Sequence, residues 1–193
     1  MADLSGLPAA LRRVIREAET PIGALSEAMA ANNITIDQWR EAMRAAIVEA
    51  FEAAGRSGAE IERITGEFQR TIDRLVEVQI DFLDNFAGDI DTNGWLGPYD
   101  ARALMYASAA KQAYWHGDVL KQAGRFLPLP AMPAEGTQCL SNCKCQWRVE
   151  TINADEGDYD AYWERHAEDS CQTCLERRAL WYPVRIRGGE LLR

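Results

Sequence analysis

Histidine is almost missing from this chain, with two residues in 193. Neither His116 nor His166 stands at a recognisable spacing from a serine or cysteine nucleophile, so no hydrolytic triad can be read from the letters. A glycine-rich phosphate loop is also missing, because Gly188-Gly189 lies near the C-terminal end with no helix to follow it. No window approaches the roughly 18 uninterrupted apolar residues of a membrane span. The opening Met1-Ala2-Asp3-Leu4-Ser5 has no basic stretch leading into an apolar run, so no secretory signal is expected. There is no basic excess either. Lysine and arginine number 21 against 30 acids, a net charge of −9 with a pI near 4.8. That balance argues against strong nucleic-acid binding, since phosphate contacts need a net basic face. Internal repeats and low-complexity tracts are absent, and the first 138 residues contain no cysteine.

What is present is the composition of a globular protein, 47% hydrophobic and 26% charged. The first two thirds carry helical periodicity. Leu11, Val14 and Ile15 begin an amphipathic stretch that Pro21 should interrupt, with a second short helix from Ile22 to about Ala30. Thr35-Ile36-Asp37-Gln38 has the form of a capping box. Behind it Trp39, Met43, Ala46, Ile47, Ala50, Phe51 and Ala54 share one helix face, and Gly55 is placed to end that helix. A longer helix follows from Ile61 to Phe86, with Gly88 as its expected stop. The next should start near Pro98 and run to Gly124. These segments predict a helical bundle over residues 1–125, three long helices with short N-terminal additions.

From Phe126 the texture changes. Residues 126–136 hold three of the seven prolines and predict an extended linker. In residues 137–193 the alternation of Gln146 to Thr151 predicts a strand, and Tyr159 to Trp163 its hairpin partner across Asp155-Glu156-Gly157-Asp158. Trp181 to Arg187 offers a third strand, at an edge because of Pro183. The fold class expected is therefore mainly α, a helical bundle with a small C-terminal β-hairpin module.

All five cysteines fall in that module, as Cys139, Cys143, Cys145, Cys171 and Cys174. Thiolates two to four residues apart on a turn can supply adjacent corners of a tetrahedral zinc site. Four of these five are expected to bind one structural zinc, with Cys171-x2-Cys174 as one half. Cys143 and one neighbour are favoured for the other, and His166 is a substitute donor. Reduced buried thiols or a disulfide pair are the alternative reading. Such a zinc would fold a segment whose short strands bury too little apolar surface alone.

Asp89 to Asp100 also has the letters of a twelve-residue calcium loop. Asp89, Asp91 and Asn93 stand at positions 1, 3 and 5, Gly94 at 6 and Asp100 at 12. An Asx-rich turn between helices gives the same letters. Tyr114, Trp115, Trp147, Tyr162, Trp163, Trp181 and Tyr182 are expected in core and packing roles rather than as base-stacking platforms. Arg177, Arg178, Arg185, Arg187 and Arg193 make the tail locally basic, with a solvated face as the default.

Several pieces together resemble the head morphogenesis, or minor head, proteins of tailed bacteriophages and prophages. They are Gln79 to Ala87 at the end of the long helix, Ala101 to Ala107, and Tyr114-Trp115. After the proline linker come Gly136 to Trp147 with its three cysteines, then Cys171-x2-Cys174 and Trp181-Tyr182-Pro183. The likeness runs from about residue 36 onward, and its most specific part is the cysteine-rich segment. The calcium-like loop is a departure from it. The resemblance implies a non-enzymatic virion assembly protein that associates with portal or capsid proteins, in the virion or the host cytoplasm, with homo-oligomers as a further partner class and no membrane. The rival readings are a metal-dependent hydrolase or nuclease using the acidic loop 89–100, and a zinc-stabilised bacterial adaptor.

Overall fold

The computed structural model describes residues 4–136, 143–165 and 171–192. Five helices come first: α1 (Ala9–Ala30), α2 (Ile36–Ala59), α3 (Gly66–Asn93), α4 (Tyr99–Ala109) and α5 (Lys111–Ala123). The second part holds β1 (Gln146–Asn153), β2 (Asp158–Glu164), a short α6 (Gln172–Leu180), β3 (Val184–Arg187) and β4 (Glu190–Leu191). The protein is thus mainly α, a helical bundle with a small antiparallel sheet at its C-terminal end.

Helix α2 is the hub, packing against α1, α3 and α5. Its start is the capping box expected: Gln38 N–H donates to Thr35 Oγ1, and Thr35 N–H to Gln38 Oε1 at 2.9 Å. Trp39, Met43, Ile47 and Phe51 of α2 are fully buried, together with Leu11, Ile15 and Ile22 of α1 and Leu83 and Phe86 of α3. Trp39 and Phe86 meet edge to face at 5.3 Å between ring centroids.

Three expected breaks do not occur, and one unexpected break does. Pro21 lies inside α1 and does not split it. Ile15, Ala18 and Ile22, on both sides of it, join the buried face, and that packing carries the helix across one missing N–H. The turn expected at Gly55–Gly58 is helical, and α2 runs on to a left-handed Glu60. Gly58 and Gly117 are contact residues where α2 crosses α5. A Cβ on Gly58 would lie 2.0 Å from the Tyr114 carbonyl oxygen, and one on Gly117 2.5 Å from the Gly55 carbonyl oxygen. Helix α3 passes through Gly88 and ends at Gly94, whose φ is +71°. The single helix expected from Pro98 to Gly124 is two, divided at Ala110. There Ala110 N–H bonds back to the Ala107 carbonyl, and α4 leaves to pack on α1 while α5 packs on α2.

The hairpin is as expected, with Trp147 opposite Trp163 and Val149 opposite Ala161. The sheet continues in the order β1-β2-β3-β4, all antiparallel. Gly188 and Gly189, both with positive φ, make the two-residue turn between β3 and β4. One sheet face buries Trp147, Tyr159, Ala161, Trp163, Val184 and Ile186. These residues form a second core with Val119 of α5 and with Leu127, Met132 and Ala134 of the proline-rich segment. That segment therefore belongs to the core of the sheet module. Among the described residues, no helix is long and apolar enough to cross a membrane.

Candidate metal centre

The chain reaches β1 through Cys143-Lys144-Cys145, and it enters α6 at Cys171, so Cys174 sits in the first turn of that helix. The start of β1 and the start of α6 thereby converge. Cys143, Cys145 and Cys174 are buried, and their sulfurs all lie within 4.8 Å of one another. Cys143 Sγ and Cys174 Sγ are 4.0 Å apart, within sulfur hydrogen-bonding distance. Three soft donors this close could hold a metal ion.

The sheet position follows from three contacts with the bundle. Gln122 of α5 donates to the Trp147 carbonyl at 3.0 Å and accepts from Val149 N–H at 2.7 Å, and it also donates to the Asp118 carboxylate at 2.7 Å. Tyr159 donates its hydroxyl to the Ala123 carbonyl at 3.1 Å. The Trp147 indole donates to the Ala131 carbonyl at 2.9 Å. At the cluster itself, buried Lys111 at the start of α5 donates to the Cys143 carbonyl at 3.3 Å. Trp147, Trp163 and Trp181 stack around one another behind the thiols, and the Arg177 guanidinium lies over the rings of Trp163 and Trp181.

The Cys145 thiol is pushed well above the ordinary thiol range. Its hydrogen bond with Cys143 is the largest cause, then burial, then the charges of Cys143 and Cys174. A metal ion held by these thiols would have to displace their protons, so its binding would strengthen as pH rises.

Of the five cysteines expected as ligands, the fold brings three together. Cys171 is half-buried and packs on the same core, but it is not one of the three. Cys139 and the substitute donor His166 lie outside the described residues. The turn expected at Cys171-x2-Cys174 is instead the head of a helix, which the short, polar sequence of α6 does not announce. Lys111 and Gln122 were missed as well. The legible signal was only that Lys111 opens an otherwise apolar helix face.

The calcium loop does not form. Asp89, Asp91 and Asn93 belong to the last turns of α3, and Asp100 to the first turn of α4. Helical backbone spreads positions 1, 3 and 5 around the axis, whereas the loop needs them converging on one point. Their side chains have other partners: Asp89 pairs with Arg102 at 2.5 Å, Asn93 donates to the Asp89 carbonyl, and Asp100 accepts from the Trp95 indole.

No protein-family model, curated protein or solved structure matches this chain.

Proposed function

We propose that the chain is a non-enzymatic virion assembly protein of the head-morphogenesis kind, a helical bundle that presents a small zinc-clasped sheet to portal or capsid proteins. The observation that carries it is the buried thiol cluster, because it involves the cysteine-rich segment on which the resemblance rests. Four sulfurs set tetrahedrally around zinc at about 2.3 Å lie roughly 3.8 Å from one another. The 4.0 Å between Cys143 and Cys174 is close to that spacing. Cys143, Cys145 and Cys174 would hold the ion, and Cys171, three residues before Cys174, is the nearest fourth donor in sequence, with Cys139 its competitor. Zinc here supplies cross-linking. It ties the start of β1 to α6, with no open position for chemistry.

The hydrolase reading has lost its loop, since the acidic side chains it needs are helical and Asp89 is paired with Arg102. A bacterial adaptor would share the metal centre and differ in its partners. Sequencing of the flanking genes, then co-expression with a portal protein encoded there and size-exclusion chromatography, tests the assignment. Co-elution with the portal oligomer is expected. Flanking genes that encode no portal, terminase or capsid protein, or a chain that elutes apart from the portal at every salt concentration, would overturn it.

A further inference from the structure

The sheet module carries buried donors that the rest of the chain does not satisfy. Among the described residues, Trp163 Nε1, Arg165 Nε and Arg177 Nη1 are buried and have no hydrogen-bond partner. A buried N–H without an acceptor is costly, and more so on a charged group, so three in one small module call for something that accepts. Trp163 is fully buried, so its indole cannot turn to water. The carboxylates of β1 and β2 are engaged elsewhere. Glu150 and Glu164 pair with Arg148, Asp160 pairs with Arg187, and Asp158 accepts from the Gly188 N–H.

All three donors belong to residues placed beside the cysteines. Gln146 lies opposite Glu164 and Trp147 opposite Trp163, so one further step of that register sets Arg165 across from Cys145. Alternation along the strands gives Cys145, Trp147, Trp163 and Arg165 one shared face, on which the first three are buried. Arg177 follows Cys174 by three residues within α6, close to one helical turn, so the two are neighbours along that helix. Its guanidinium is held over the rings of Trp163 at 5.4 Å and Trp181 at 5.2 Å from their centroids. Arg178, the next residue, lies instead 4.6 Å from the centroid of the Tyr182 ring, which is 46% exposed.

Metal-bound cysteines would supply the missing acceptors. A divalent ion on three or four thiolates leaves the centre negatively charged, and a buried negative charge needs cations and N–H donors around it. A neutral thiol is only a weak acceptor, whereas a thiolate carries a full charge. We propose, resting on the zinc reading of the cluster, that Arg165, Arg177 and the Trp163 indole form a donor shell for its metal-bound thiolates. The two guanidiniums balance the charge of the centre, and the N–H groups bond to its sulfurs. All three are positioning residues and none is a ligand.

The test is titration of the reduced full chain with cobalt(II) and zinc(II). Cobalt binding is read from its sulfur-to-metal charge-transfer band, and zinc affinity from competition with a chromophoric chelator. Arg165→Gln and Arg177→Gln should each weaken zinc binding about tenfold or more, the usual effect of losing an outer-shell partner. Each should also move the charge-transfer band to lower energy, because a sulfur that loses a hydrogen bond gives up its electron more readily. A merely structural role for the arginines would leave that band in place. Arg177→Lys should recover part of the affinity, and Trp163→Phe should shift the band. Arg178→Gln removes the same charge from the same helix and should change neither readout. Arg165 and Arg177 are only partly buried, so their variants keep the test alive if Trp163→Phe fails to fold. If the parent shows the thiolate band and both glutamine variants match it in affinity and band position, the donor shell alone is overturned. Equal losses in Arg178→Gln and Arg177→Gln would overturn it too, since the effect would then be one of net charge. A parent with no charge-transfer band would overturn the zinc reading and the shell with it.

Discussion

Alanine in place of Gly117 tests the helix crossing that sets the whole bundle. In an exposed helix interior, glycine to alanine is stabilising by about 0.5–1 kcal/mol, because alanine loses less backbone entropy. Gly23 in α1 and Gly88 in α3 have nothing within 4 Å of where a Cβ would stand, so Gly23→Ala and Gly88→Ala should each gain about that much. At Gly117 the new methyl would meet the Gly55 carbonyl oxygen at 2.5 Å and the Ala59 nitrogen at 2.6 Å. Both are backbone atoms, which cannot swing aside as a side-chain end can. Reaching ordinary contact near 3.4 Å requires α2 and α5 to separate by close to an ångström. Overpacking of that kind costs about 1–3 kcal/mol. The intrinsic gain offsets part of it, which leaves a net loss of about 1–2 kcal/mol. Gly58→Ala should do at least as badly, at 2.0 Å from the Tyr114 carbonyl oxygen. Urea unfolding followed by far-UV circular dichroism separates the two classes by the sign of the midpoint shift. If Gly117→Ala raised the midpoint as Gly23→Ala does, the close crossing of α2 and α5 would be wrong.

Further outcomes follow from other contacts. Removing the metal with a chelator, or replacing Cys174 by serine, should shift the emission of Trp147, Trp163 and Trp181 while leaving most of the helical circular dichroism intact; simultaneous loss of both signals would refute a metal-folded module. Elemental analysis of reduced protein should find about one zinc per chain, lost in Cys143→Ser and Cys174→Ser. Gln122→Ala strands the Trp147 carbonyl and the Val149 N–H of β1, and should cost about 1–3 kcal/mol, read from the thermal midpoint. His116 lines a cavity of about 420 Å³ between α3, α5 and the proline-rich segment, and burial lowers it to about 4, against the opposing pull of Glu135 and with help from Arg74. The unfolded chain then binds the extra proton first, so stability should be full above about pH 6.5 and fall as pH drops toward about 4, by roughly 3 kcal/mol. His116→Gln should flatten that slope, and an unchanged slope would mean that His116 is solvated.

Periodicity alone determined the helical class, the buried faces and the hairpin, because a helix or strand repeats its apolar residues at a spacing that the letters show directly. Trp39, Met43, Ile47 and Phe51 needed no coordinates, nor did the capping box at Thr35, nor the pairing of β1 with β2. The cysteine cluster was legible as a group for a similar reason: five thiols within a short span of an otherwise thiol-free chain. Element ends were not legible. Pro21, Gly55, Gly58 and Gly88 are stop signals by local propensity, and each lies within a helix that continues through it. At Gly55 and Gly58 the reason is contact: Gly55 touches the side chains of Ile64, Phe68 and Ile72, and Gly58 lies against the backbone of α5. Conversely, Ala110 carries no breaking signal, yet the chain turns there because α4 and α5 pack on different helices. The acidic letters from Asp89 to Asp100 illustrate the same limit, since a ligand loop and a helix end share them and only packing around Phe86 and Arg102 chose the helix. Which thiols meet was likewise a tertiary matter: α6 swings Cys174 onto Cys143 and Cys145, a distance in space that no spacing in sequence encodes.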